Sequence, residues 1–366
     1  MVTSPGSDGA GEADTGGSEA GPDFPALISR LLEREDLSVA EAEWAMDEVM
    51  QGHASPVQLA SFLVALRAKG ESVSEIRGLA ASMLRHAVPI EVPRPAVDIV
   101  GTGGDRHHSV NISTMAALVV AGTGTRVVKH GNRAATSSSG SADVLEALGV
   151  RLDLPAERVQ EAATEVGITF LFAQMFHPAF RHAAVARREL GIPTAFNILG
   201  PLTNPARPQA AAIGVGDLAL APVVAGVLAD RGDRGLVFRS EDGLDELATT
   251  APALVWEARD GSVEPYRLDA VEELDLPPAR LADLRGGDAD HNADVARQLL
   301  EGRTGPVRDA VVLNAAATLV AHGQQPGTAA GTLVQRLRAG MRLAEKSIDD
   351  GAAAGVLERW IQVTNS

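Results

Sequence analysis

Residues 127–150 read VVKHGNRAATSSSGSADVLEALGV, from Val127 to Val150. The order of residue types within the stretch carries the fold. An apolar run, Thr125 to Val128, has strand character and delivers Lys129, His130, Asn132 and Arg133 into a loop of small hydroxyl residues. Ser141-Ala-Asp143 then opens a helical LEALG segment. A strand, a polar loop and a helix in succession predict an α/β unit whose loop can receive an anion. Small residues let backbone N–H groups approach an oxyanion, the helix start adds a favourable dipole, and Lys129 and Arg133 bring full positive charge. On this window alone, an ordinary βα loop with a Ser-rich cap is the plain alternative.

Composition bounds what surrounds the stretch. The chain has 366 residues, 45% hydrophobic and 22% charged, enough for a sizeable core divided into one large unit and a smaller one. It has no cysteine, which excludes disulfides, thiolate nucleophiles and zinc-thiolate sites and is compatible with a reducing cytoplasm, the expected compartment. The formal charge of -16 argues against nucleic acid or a membrane surface as partner, so an anionic ligand must be met by local positive charge. Residues 1–23 are rich in Gly, Ser, Ala and acidic residues, without a basic start or an apolar segment; they read as a disordered tail, not a signal peptide. No later apolar run reaches bilayer-spanning length.

From Phe24 to Ala87 apolar residues recur at helical spacing, with Ser38 and Glu41, and Ser72 or Ser74 and Glu75, as start signals. Trp44, Met46 and Met50 read as core or subunit interface. Pro89, Pro93 and Pro95 end helix formation, and this segment is expected to be a small helical domain with a proline-stiffened linker. Val97 to Val100 is a short strand, GTGGDRHHSVNIST a Gly-rich turn, and Thr114 to Ala121 a buried helix. Gly101, Gly103 and Gly104 permit close backbone approach, and Asn111, Ser113 and Thr114 put polar side chains at a helix start. GTGGD is neither a dinucleotide fingerprint nor a P-loop. Two phosphate cradles on successive βα units are a stronger sign than either alone, because adjacent parallel strands bring their C-terminal loops together.

Phe170 to Leu190 is an aromatic and basic helical stretch in which Arg187 is suited to a carboxylate, although a solvated helix face is the commoner fate of one arginine. Asn197 to Pro205 is a turn sequence, followed by strand, helix and strand to Phe238. Ser240 to Glu246, SEDGLDE, sets four carboxylates side by side. Close carboxylates repel unless a cation lies between them, and hard oxygen donors beside phosphate cradles point to Mg2+; an acidic surface turn is the alternative. The histidines lack a zinc pattern such as H-E-x-x-H, and no G-x-S-x-G elbow supplies a serine nucleophile.

GTGGD at Gly101, NIST at Asn111, KHGNR at Lys129, SGSADVLEALG at Ser139, RREL at Arg187, NILGPLTNPA at Asn197 and DGLDE at Asp242 together resemble the anthranilate phosphoribosyltransferase family. The resemblance covers residues 24–363 and extends to GHASPVQ near the start and to NAAA and SIDDGAA near the end. It implies an α/β protein with a small all-helical domain (24–93 with 170–202) and a larger domain (94–169 with 203–366). The larger domain would carry a mostly parallel central sheet flanked by helices, similar to the pyrimidine nucleoside phosphorylases, in a homodimer. It implies transfer of a phosphoribosyl group from phosphoribosyl pyrophosphate to the amine of anthranilate, in tryptophan biosynthesis.

By the same resemblance, phosphoribosyl pyrophosphate is met by Gly101, Gly104, Asp105, Ser109, Asn111, Ile112, Ser113 and Thr114. From the second loop it is met by Lys129, His130, Gly131, Asn132, Arg133, Ala134, Ala135, Thr136, Ser137 and Ser141. Gly101, Asn132 and Arg187 are implied for anthranilate, and Ser113, Asp245 and Glu246 for Mg2+. Displacing pyrophosphate from an anomeric carbon builds negative charge on the leaving group and oxocarbenium character on the ribose, and the aromatic amine is already an adequate nucleophile. No catalytic acid or base is assigned.

Three departures from the family pattern stand out: Arg106 with His107 and His108 where a glycine usually follows GTGGD, Arg239-Ser240 where His-Gly is usual, and Ser138 where lysine is frequent. Arg239 can pair with the nearby carboxylates and compete with metal, or face solvent. Alternatives kept open are a paralogue using a substituted aminobenzoate, a pyrimidine nucleoside phosphorylase and a non-catalytic binder of phosphoribosyl ligands.

Overall fold

A computed structural model describes Met1 and residues 21–133 and 139–366. The chain opens with four helices, α1 (Phe24–Leu32), α2 (Val39–Gln51), α3 (Pro56–Lys69) and α4 (Val73–Arg85), each started by a side chain that sequence supplies. Asp23 accepts from the Ala26 amide at 2.8 Å, and Ser38 with Glu41, Ser55 with Gln58 and Ser72 with Glu75 form reciprocal capping boxes. Glu75 does more than cap. It is buried, accepts from the Leu37 amide at 2.9 Å and is paired with Lys69 at 3.0 Å, tying α4 to the turn before α2.

Seven strands form one sheet in the order β3-β2-β1-β4-β5-β6-β7. They are β1 (Val97–Gly101), β2 (Val127–Gly131), β3 (Ile168–Phe172), β4 (Ala210–Gly214), β5 (Arg234–Ser240), β6 (Ala253–Arg259) and β7 (Ser262–Leu268). β3, β2, β1, β4 and β5 are parallel, and the β6–β7 hairpin adds antiparallel at the β5 edge. The chain winds outward from β1 in one direction through β2 and β3, then in the other through β4 and β5. β1 and β4 therefore flank a topological switch point, where open α/β sheets leave a crevice outside the strand C-termini.

One sheet face is covered by α5 (Ile112–Gly122) and the helices Pro306–His322, Leu333–Asp349 and Ala352–Asn365. On the other face, Ala211, Ile213, Val215 and Val237 join the cluster built by α1–α4 and the helix Ala221–Asp230. The four-helix unit thus leans on the sheet through shared apolar contacts. The segment expected to turn helical from Phe170 is still strand: Phe170 to Phe172 pair with Lys129 to Gly131. Ladder hydrogen bonds to β2 hold these residues in the sheet, and only afterwards do Ala183, Ala186, Phe196 and Leu202 pack with α1–α4. Among the described residues no helix is long and apolar enough to cross a membrane.

Candidate active site

The loop leaving β1 is shaped by close approach to a segment far along the chain. Gly103 and Gly104 have φ of 67° and 82°, in the region glycine enters freely. The Gly103 amide donates to Asp245 Oδ2 at 2.7 Å, and a Cβ on Gly101 would stand 2.6 Å from that same oxygen. Glycine at 101 and an amide at 103 are thus both dictated by one carboxylate. Arg106 and His108 also have positive φ, 63° and 54°, a conformation costing a non-glycine residue about 1 kcal/mol or more. Asp105 Oδ1 accepts from the His107 amide at 3.1 Å, while its Oδ2 is buried without a hydrogen-bond partner. Ser109 bridges to Arg285.

At the start of α5, Asn111 makes no capping bond with its own helix. Its Nδ2 donates to the Ser139 carbonyl at 3.2 Å and its Oδ1 accepts from Asn292 at 2.8 Å, so it ties this loop to the one after β2. Ile112, Ser113 and Thr114 are buried, and Thr114 Oγ1 has no partner.

Lys129 is 2% exposed and runs beneath the strand ends, donating to the Ile99 carbonyl at 2.6 Å and to Ser113 Oγ at 3.2 Å. Burial lowers its pKa, and the charges of Asp98 and Glu246 oppose that fall. Asp98, also buried, is pushed up to about 6 by desolvation although Lys129 and the Asn204 amide stabilise its charge. Asn204 bridges Asp98 at 2.8 Å and the Val128 carbonyl at 2.7 Å. His130 Nδ1 faces the Gly200 carbonyl at 2.9 Å and His177 Nε2 the Thr203 carbonyl at 2.9 Å. Burial takes these imidazoles down to about 3 and about 4, so both are neutral. Gly131 is required by Phe170, whose ring carbon would lie 2.8 Å from a Cβ there.

Asn132 is exposed and its Oδ1 accepts from the Arg133 amide at 2.9 Å. Arg133 does not turn into the loop: it is held by Glu146 at 2.6 and 2.8 Å and by Asp143 at 3.1 Å, on the face of α6 (Ser141–Ala147). Ser141 stands at the first position of that helix. Ala134, Ala135, Thr136, Ser137 and Ser138 lie outside the described residues.

The four carboxylates after β5 divide into two roles. Glu241 points outward to Arg267 at 2.6 Å, and Asp242 closes the turn by accepting from Thr250 at 2.6 Å. Asp245 and Glu246 face inward and are 7% and 8% exposed. Desolvation, reinforced by Asp105, raises Asp245 to about 7, and desolvation with Asp245 raises Glu246 well above its ordinary value. Two such carboxyls beside the unpartnered Asp105 oxygen suit a hard divalent cation, which would relieve their repulsion. Among the described residues no three histidine or acidic side chains converge tightly enough to hold a metal by themselves. Arg239 is half-buried and makes no ion pair with these carboxylates among the described residues. Its Nε donates to the Gly216 carbonyl at 3.0 Å and its Nη1 to the Ser240 carbonyl at 3.3 Å.

Asn314 holds the loop from behind. From the buried middle of Pro306–His322 it accepts from the Leu247 amide at 3.1 Å and donates to the Leu247 carbonyl at 2.7 Å, immediately after Glu246. Its signal in the sequence is an amide side chain in the run 310–321, whose one other polar residue is Thr318. Arg187, on the helix Ala184–Leu190, is exposed with its guanidinium 5.9 Å from the Phe180 ring centroid, and it has no acceptor among the described residues.

Residues 25–87 match the helical bundle domain of the glycosyl transferase family and residues 93–354 its a/b domain. An anthranilate phosphoribosyltransferase from Arthrobacter sp. is 61% identical over 345 residues, covering 94% of this chain and 97% of the relative. One from Streptomyces griseus is 57% identical over 351 residues, covering 96% and 98%. Among solved structures, anthranilate phosphoribosyltransferase from Thermus thermophilus superposes with a TM-score of 0.85 at 44% identity, covering 93% of this chain and 99% of that one. The Saccharomyces cerevisiae protein, in complex with PRPP and Mg, gives 0.81 at 28% identity, covering 93% and 98%.

Proposed function

The chain belongs to the anthranilate phosphoribosyltransferase family, and from that premise we propose how its own residues carry out the transfer. The amine of anthranilate attacks the anomeric carbon of phosphoribosyl pyrophosphate. A C–N bond forms, the C–O bond to pyrophosphate breaks, and the nitrogen loses a proton. The observation that carries this reading is the interlock of Gly101 and Gly103 with Asp245 at the switch point, which brings the loop after β1 onto the buried acidic pair.

Amides of the Gly101–Asp105 loop and the first turn of α5 receive the donor, supported by the loop after β2, in which Asn132 is exposed beside Ser141. Lys129 acts from beneath: it fixes the Ser113 hydroxyl and adds positive potential where the leaving group gains charge. Ser113, Asp245 and Glu246 would hold magnesium. Bound there, the cation neutralises charge developing on pyrophosphate. Arg187, whose guanidinium lies by the Phe180 ring and has no acceptor among the described residues, receives the carboxylate of anthranilate. Gly101 and Asn132 orient the acceptor, so catalysis rests on positioning and charge stabilisation.

The division into a helical unit and an α/β unit suits a site that opens between them, with residues 173–202 returning to the helices. Exposed Leu32, Val57, Val64, Val185 and Ile192 on or beside the mutually packed α1, α3 and Ala184–Leu190 support pairing of two copies through the helical unit. The absence of cysteine is compatible with work in the cytoplasm. The test is consumption of anthranilate fluorescence by purified protein with phosphoribosyl pyrophosphate and magnesium. The signal should fall only when all components are present, and no fall at any magnesium concentration contradicts the proposal.

A further inference from the structure

At the end of the sheet away from the candidate active site, Arg234, Arg259, Arg336 and His322 gather with two carboxylates, the half-buried Glu257 and the exposed Asp260. Arg234 opens β5 and Arg259 closes β6, and the antiparallel register that pairs Gly235 with Ala258 sets the two arginines opposite one another. Like charges directly opposed across a strand pair are unfavourable. Arg336, from Leu333–Asp349, is 5% exposed and grips Glu257 through two contacts of 2.5 and 2.6 Å. Arg259 is drawn to Asp260 at 3.3 Å and to the Ala329 carbonyl at 3.0 Å.

Arg234 has no such outlet. Its guanidinium has no acceptor and no ion-pair partner among the described residues, and it lies so close to Gly323 that any Cβ there would collide with it. Burial and then the charge of Arg259 depress its pKa, Glu257 and Asp260 oppose the fall, and Arg336 adds to it. Next to Gly323 in the chain, His322 is 7% exposed and neither of its ring nitrogens has a partner; the Arg336 Nε is likewise unpartnered. An imidazole always carries at least one N–H, and a buried N–H without an acceptor is unfavourable. Donors on three elements are therefore short of an acceptor, with the Arg234 guanidinium against Gly323 beside His322 and within electrostatic reach of Arg336. With a net charge of -16 on the chain, this local surplus of positive charge is where an anion would be retained. Arg234 is half-buried, so the cluster is open to solvent.

We propose that Arg234, His322 and Arg336 form a binding site for a small oxyanion, a carboxylate or a phosphate, distinct from the phosphoribosyl site. Arg234 supplies the planar pair of N–H donors that such groups accept, and His322 supplies an N–H from the end of its helix. The site lies at the far end of β5, about 20 Å from its C-terminal loop at roughly 3.3 Å per residue. It shares Pro306–His322 with Asn314, which holds Leu247 behind the acidic pair.

The test uses the full chain. Crystals soaked in selenate should show an anomalous peak within hydrogen-bond distance of Arg234 and His322. In calorimetry, inorganic phosphate and acetate are titrated separately into wild type, Arg234→Gln and His322→Leu. Loss of either side chain should remove one class of binding sites or weaken it at least tenfold, leaving any phosphate binding at the active site intact. A response to phosphate alone or to acetate alone identifies the oxyanion. Should Arg234→Gln fail to fold, His322→Leu, which removes the donor and keeps an apolar side chain of similar size, carries the comparison. No selenate peak, with variants that bind both anions as wild type does, overturns the proposal.

Discussion

Replacing Asp245 by Asn should stabilise the cation-free protein, and the gain should depend on pH. The carboxyl is buried against Gly101 and the Gly103 amide, with Asp105 beside it, and is lifted from 3.8 to about 7. At 1.36 kcal/mol per pH unit, that corresponds to a ceiling of about 4 kcal/mol of lost stability once the group ionises. The sign follows from proton binding. Between about pH 4 and pH 7 the folded chain keeps a proton that the unfolded chain has released, so stability falls as pH rises through this window and levels above it. Asn is never charged, and its side-chain oxygen can still accept from Gly103. The advantage of Asp245→Asn over wild type should therefore grow by about 3 kcal/mol from pH 5 to pH 8, measured by urea denaturation in the presence of a chelator. Removing this charge also relieves Glu246, which Asp245 pushes up. Magnesium should narrow the gap by stabilising wild type selectively, and the variant should lose transferase activity. A gap that stays flat or shrinks with rising pH would refute the reasoning.

Asn314→Ala should remove two contacts to Leu247 and one to the Ala310 carbonyl, lowering unfolding free energy by about 2–4 kcal/mol and turnover with it; a denaturation midpoint within error of wild type would count against the clamp. Gly101→Ala should displace the Asp245 carboxylate and reduce kcat more than tenfold while circular dichroism stays unchanged, and full activity would show that the contact is dispensable. For Arg187→Ala the KM for anthranilate should rise ten- to a hundredfold, with that for phosphoribosyl pyrophosphate within twofold; equal effects on both would remove it from the carboxylate.

The parallel part of the sheet was legible because each strand is a short apolar run followed by a polar or Gly-rich loop, and the capping residues of α2 and α4 sat where Ser and Glu spacing put them. The β6–β7 hairpin was missed although Asp260-Gly261, both at positive φ, is a two-residue turn signal between alternating segments. Which of the four carboxylates face inward could not be read from SEDGLDE. That choice is made by partners far away in sequence: Gly103 for Asp245, and Asn314 behind Glu246. Arg133 looked like a ligand for an anion because Asp143 and Glu146 on α6 stand ten and thirteen residues along the chain and become its partners only in the folded protein. Arg239 likewise found carbonyls at 216 and 240, acceptors that carry no signature in side-chain chemistry.

The central claim is that the loops after β1, β2 and β5 form one site at which an aromatic amine displaces pyrophosphate. Incubation with 15N-anthranilate, phosphoribosyl pyrophosphate and magnesium, followed by chromatography with mass detection, tests it most directly. The account predicts an N-ribosyl phosphate product that carries the label, formed one for one with pyrophosphate. Pyrophosphate released without that product, or phosphorolysis of a pyrimidine nucleoside in its place, would contradict it.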